Sequence, residues 1–132
     1  MTACYINGKY KTLSKSSISV TDRGFQFSDG VYEVIAIYNN KFVDENLHLN
    51  RLRTSLNKLN IKINLSSKQI QNISHKIKKL NKISNGIIYL QVTRGDQHPR
   101  DHKYKNIMKP NIVIYSIKKD FKKLDQLALK GV

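Results

Sequence analysis

A chain of 132 residues is long enough to enclose one hydrophobic core and too short for two domains of ordinary size. Its hydrophobic content of 39% and mean hydropathy of -0.49 suit a globular protein in water, and no run approaches the ~18 apolar residues of a membrane span. Against 9 acidic side chains stand 24 Lys and Arg, a net charge of +15 that attracts polyanions, yet the lysines are scattered among isoleucine and asparagine. Lys76, Lys78 and Lys79 fall on the polar side of a predicted helix, so a solvated face is expected rather than a nucleic-acid stripe. The single cysteine, Cys4, has no internal disulfide partner and fits a reducing cytoplasm; its short apolar run predicts a half-buried strand residue. The N-terminus lacks the basic-then-apolar layout of a signal peptide.

In chain order, Tyr5-Ile6, Asn7-Gly8 and Lys9-Tyr10 predict a β-hairpin, because Asn-Gly supplies the positive φ angles of a type I′ turn. Ile18 and Val20 alternate with polar neighbours and predict a short strand. Val31 to Tyr38 is rich in β-branched and aromatic residues, a buried strand, and Asn39-Asn40 turns it into Phe42-Val43. Leu49, Leu52, Leu56 and Leu59 then recur at steps of three and four, predicting a helix from about Glu45 to Leu59. Ile70, Ile73, Ile77 and Leu80 do the same for a second helix, whose start is marked by Ser66 with Gln69, the form of a capping box. Ile87 to Thr93 and Ile112 to Ile117 are the last strands, separated by a polar loop over 96–109. The pattern is an α+β fold, a mainly antiparallel sheet packed with two helices.

Four segments carry chemistry-bearing residues: DRGFQFSDGVYEV at Asp22 to Val34, HLNRL at His48 to Leu52, GIIYLQVTRG at Gly86 to Gly95, and PRDH at Pro99 to His102. His48, Arg51 and Ser55 share one side of the first helix, where an arginine bordering a leucine stripe can grip a phosphate with parallel hydrogen bonds. Arg100 and His102, two apart in an extended segment, point the same way and suit a carboxylate. Arg94, Asp22, Arg23, Asp29 and Glu33 stand beside apolar residues, where charges are usually paired, so ion pairs fixing the turn and strand ends are expected. His75 and His98 are expected in solvent, and no metal-ligand spacing stands out.

In order and spacing these segments resemble the N-terminal domain of the fold-type IV pyridoxal-phosphate enzymes, the class IV aminotransferases, and most closely the D-amino acid transaminases. The resemblance implies pyridoxal phosphate as cofactor, with Arg51 on its phosphate. It implies a carboxylate trap of Tyr32, Arg100 and His102, the loop carrying the last two reaching across a homodimer. By residue type alone, Tyr32 would be a core position. An amino acid and a 2-oxo acid are the implied substrates. One departure is that Tyr104 is followed by Lys105, where the family often has an aromatic and a proline.

The resemblance also implies that the lysine binding the cofactor, and the acidic partner of its ring nitrogen, lie beyond Val132. Residues 1–117 are then expected to form the N-terminal domain, and 118–132 a linker leading to a second domain, with LKGV at Leu129 to Val132 resembling its entry. No catalytic residue is assigned within the chain, which alone is expected to be inactive. Two alternatives stay open: half of a split enzyme completed by a second chain, and a small basic module that binds nucleic acid.

Overall fold

The computed structural model describes residues 2–131, so Val132, the end of the LKGV string, lies outside the described residues. Strands β1 (Ala3–Ile6) and β2 (Lys9–Thr12) form the first hairpin, with Asn7 at φ 48° and Gly8 at φ 92°, as a type I′ turn requires. A 3-10 turn at Leu13–Lys15 leads into an irregular segment, not into the strand expected around Ile18 and Val20. Its alternation is real, but Val20 is 73% exposed and the Ser19 hydroxyl accepts the Thr21 N–H that a strand ladder would use. Side-chain competition of this kind breaks short strands.

A short helix α1 (Arg23–Phe27) follows, then strand β3 (Gly30–Tyr38) and its two-residue partner β4 (Lys41–Phe42) across an Asn39-Asn40 turn with both φ positive. Helices α2 (Glu45–Lys58) and α3 (Ser67–Leu80) come next; α3 has the capping box, Ser66 accepting from the Gln69 N–H while the Gln69 side chain accepts from the Ser66 N–H. Strands β5 (Gly86–Thr93) and β6 (Asn111–Lys118) complete one antiparallel sheet in the order β2-β1-β6-β5-β3-β4. A last helix, α4 (Phe121–Leu129), occupies the segment expected to be linker; Asp120 caps it by accepting from the Lys123 N–H.

Both long helices cover one face of the sheet. Ile35, Ile37, Ile88, Leu90, Val92, Ile112 and Ile114 meet Leu49, Leu52 and Leu56 of α2 and Ile70, Ile73 and Ile77 of α3 in a single core. Each such side chain contributes roughly 1.5–3 kcal/mol by leaving water. Leu59 and Leu80, the last members of the two predicted stripes, stay outside it at 39% and 49% exposure. Strand alternation sends Tyr32, Val34, Ala36 and Tyr38 to the opposite face, where Tyr32 stacks on Tyr89 and Tyr89 packs against Tyr115. On the same face Tyr38 packs against Phe121 of α4. Cys4 is fully buried, deeper than expected, with its Sγ 3.0 Å from the Ser16 hydroxyl.

Candidate functional site

Glu33 stands on the helix side of β3, 3% exposed, at the point where α2 passes. His48 and Arg51, three residues apart on α2, both reach it. Arg51 donates Nε to Oε1 and Nη2 to Oε2, each at 2.7 Å, a bidentate fork. His48 Nδ1 lies 2.8 Å from Oε2, and because a carboxylate only accepts, that nitrogen carries the proton. The 3.4 Å approach of Arg51 Nη2 to the same nitrogen is therefore donor against donor, not a bond. Burial pushes the Glu33 carboxyl up, but the bonds from Arg51 and then His48 outweigh it and hold the pKa below the ordinary 4.5. Glu33 in turn raises the pKa of Arg51, with the Tyr32 phenol adding to the same field.

The result is a guanidinium gripped from behind. The Arg51 side chain is 67% exposed, and its Nη1 edge makes no bond within the described residues. This fits a phosphate group: a fixed cation, its inner edge neutralised by a buried carboxylate and its outer edge free to donate. Tyr32, 64% exposed, is not a core residue; it lies on the open face of the sheet, stacked on Tyr89.

A second cluster organises the loop after β5. Arg23 and Arg94 both donate Nε to Asp29 Oδ2, at 2.8 and 2.7 Å, with all three side chains largely buried. One carboxylate cannot neutralise two guanidiniums. The surplus positive charge is met by carbonyls and ring faces. Arg23 donates Nη1 and Nη2 to the carbonyls of Asp101 and His102, and Arg94 donates Nη2 to Leu59 O. Arg94 also lies 3.8 Å from the Tyr104 ring centre, and Arg23 4.5 Å from that of Phe27. Burial pushes Asp29 up, yet the bonds from Arg94 and Arg23 win and hold its pKa below the ordinary 3.8. The expected ion pairs are present for Arg23, Asp29, Arg94 and Glu33.

Asp22 is the exception. It is buried, but no cation pairs with it among the described residues. Its Oδ1 caps α1 by accepting from the Gly24 and Phe25 N–H groups, and its Oδ2 accepts from Thr93 Oγ1 and Asn111 Nδ2. Four donors thus satisfy the buried carboxylate oxygens in place of a counter-ion. The signal for this was present, since Asp is a favoured N-cap residue.

Arg100 and His102 are brought together on one ring. The Arg100 guanidinium lies 4.2 Å from the Phe27 ring centre, and the His102 ring 5.3 Å from it. Their loop is closed at its base by Gly95, at φ 106°, where a side chain would meet Lys109 O at 1.9 Å. Gln97 braces it from inside, donating to Lys103 O and accepting from the Lys105 N–H. Among the described residues no hydrogen bond or ring contact joins Tyr32 to Arg100 or His102. Tyr32 instead stacks on Tyr89, while Arg100 and His102 share Phe27. His75, expected in solvent, is half exposed but engaged: it stacks on Phe42 and contacts Glu45 at 3.0 Å, while His98 is exposed. Among the described residues no group of three or more His, Cys, Asp or Glu is gathered for a metal ion.

Comparison with known proteins gives this arrangement a context. Residues 30–126 match the family described as amino-transferase class IV. A D-alanine aminotransferase of Listeria monocytogenes is 40% identical over 97 residues, covering 74% of this chain and 34% of the relative. One from Staphylococcus aureus is 34% identical over 117 residues, 88% of this chain and 41% of the relative. The chain therefore spans about two fifths or less of the length of these relatives. Its fold is that of the N-terminal domain of fold-type IV aminotransferases. The branched-chain amino acid aminotransferase of Escherichia coli superposes with a TM-score of 0.83 at 14% identity, over 89% of this chain and 40% of that one. A second branched-chain amino acid aminotransferase, solved with pyridoxamine 5′-phosphate, gives 0.81 at 14% identity over the same shares. On sequence, with the fold in agreement, the chain belongs to the class IV aminotransferases.

Proposed function

We propose that this chain is the N-terminal domain of a pyridoxal-phosphate-dependent D-amino acid aminotransferase, moving an amino group between a D-amino acid and a 2-oxo acid. In this reading residues 1–117 form the domain and 118–132 lead out of it. Arg51 holds the cofactor phosphate, and Tyr32, Arg100 and His102 hold the substrate carboxylate. The observation that carries the reading is the Arg51 fork on buried Glu33, with its Nη1 edge left outward and unbonded among the described residues. The bound cofactor supplies an electron sink for the substrate α-carbon. The chain's own part is to fix the phosphate, so the ring cannot drift, and to orient the substrate by its carboxylate. By family resemblance the protein is a homodimer, in which one protomer lends its loop to the pocket of the other. A cytoplasmic location goes with this reading.

The test pairs the chain with the complementary region of the Listeria relative, supplied in the same polypeptide or as a second chain. D-alanine and 2-oxoglutarate are the substrates. Turnover is expected in the assembled protein. Arg51→Ala should weaken cofactor retention, and Arg100→Ala should chiefly raise the KM for the amino acid, each by roughly ten- to a hundredfold, the worth of a charge-assisted contact. Equal effects of both substitutions on both quantities would remove the assigned roles. Activity restored by a separate second chain, but not by fusion, would favour a split enzyme.

A further inference from the structure

We propose that Phe27, clamped by Arg23, is the positioning residue that makes Arg100 and His102 one carboxylate-binding unit. The inference rests on the reading of Arg100 and His102 as carboxylate ligands and names what aligns them.

Both side chains sit on an exposed loop, where a long arginine and an imidazole are free to sample many orientations. Both also touch the same ring, at 4.2 and 5.3 Å, and nothing else in the described residues engages either side chain. A phenyl face carries negative quadrupole, so it attracts the guanidinium, while its edge and face offer packing to the imidazole. Phe27 is itself held in place. The Arg23 guanidinium lies 4.5 Å from its ring centre, and the same guanidinium bonds the carbonyls of Asp101 and His102 at 2.6 and 2.9 Å. Arg23 is anchored in turn by Asp29 at 2.8 Å and, through its backbone N–H, by Gly95 O at 2.9 Å.

One buried arginine therefore sets both the ring under the two side chains and the backbone between them. The fork and the imidazole are left on one ring, where a small planar anion, the carboxylate of an amino acid or a 2-oxo acid, can engage both. Preorganisation of this kind lowers the ordering cost of binding. It also predicts that the two residues respond together.

The 132-residue chain can be titrated with pyruvate while the Arg100 Nε–H and His102 ring C–H signals are followed by NMR. Both signals should shift saturably with a shared Kd. Phe27→Leu, which keeps the apolar volume and loses the aromatic face, should raise that Kd roughly two- to fivefold and let the two signals titrate separately. Phe27→Tyr should restore both the affinity and the shared curve, which a residue needed only for folding would not require. Arg23→Gln should act in the same direction as Phe27→Leu, amide dispersion reporting that the fold is kept. A wild-type Kd in Phe27→Leu, with binding abolished by Arg100→Ala, would overturn the inference and leave the carboxylate reading standing. Failure of Phe27→Tyr to restore the shared curve would overturn it too. No saturable shift in the wild-type chain would overturn the inference that the two form a unit on Phe27, while the KM effect of Arg100→Ala in the assembled protein tests the carboxylate reading separately.

Discussion

Asp29 carries a single negative charge between two guanidiniums that are almost out of solvent, and the neighbourhood is built on that charge. Neutralising it leaves Arg23 and Arg94 buried without a counter-ion, the costliest way to break a buried pair. Asp29→Asn should therefore lose about 3–5 kcal/mol in urea unfolding, and tryptic cleavage after Arg100 and Lys103 should accelerate as the loop comes free. The pH dependence has a definite sign. Asp29 and Glu33 have folded pKa values below their ordinary 3.8 and 4.5, so their contribution is complete above those values and drains away as pH falls through the folded ones. In Asp29→Asn the acid limb of the stability profile should be shallower; an unchanged limb would mean that Asp29 is not its source.

Among the elements, the long ones were legible because each obeys one period. The leucines of α2 and isoleucines of α3 keep helical spacing, and the Ser66/Gln69 cap announces where α3 starts. Strands β3, β5 and β6 are long enough for β-branched residues to dominate. What escaped were short pieces fixed by side-chain bonds. Helix α1 has five residues and no apolar period, and is held by Asp22 at one end and Ser28 at the other. At the site, residue types pointed to Arg51, but the buried Glu33 behind it was placed only as a generic ion pair. The grouping on Phe27 is a contact across 73 positions or more, with no local signature. Ser28 offers a test of how α1 ends. It sits at φ 55°, in the left-handed region that disfavours side chains, and its N–H closes the helix on Gly24 O. Ser28→Gly relieves that strain, less the extra freedom gained by the unfolded chain, so stability should rise by up to about 1 kcal/mol. A loss would show that the Ser28 side chain makes up for its backbone.

At the scale of the whole molecule, two features oppose each other. The face of the sheet carrying Tyr32, Tyr89 and Tyr115 presents an aromatic row, and Phe25 beside it is 76% exposed, a surface suited to association. The net charge of +15 repels a second copy. Salt screens the repulsion, with a Debye length of about 8 Å at physiological ionic strength, and leaves the apolar attraction intact. Self-association by sedimentation should accordingly strengthen from low to moderate salt, and Phe25→Ser should weaken it at every salt concentration. Nucleic-acid binding has the opposite salt dependence, weakening steeply as salt rises. No such binding is expected to survive at ~150 mM salt, and a sub-micromolar Kd there would reinstate the basic-module alternative.

The lone thiol offers a clock for motions that none of these experiments sees. Cys4 is sealed beneath the segment that follows the Leu13–Lys15 turn, so an alkylating reagent can reach it only after something lifts away. If that segment peels off alone, labelling should be slow but nearly indifferent to dilute urea, because little surface is exposed in the opening. If β1 must first leave β6, the rate should climb steeply with urea, following global unfolding. The slope of labelling rate against denaturant therefore measures whether this edge of the sheet opens as a flap or only when the whole domain comes apart.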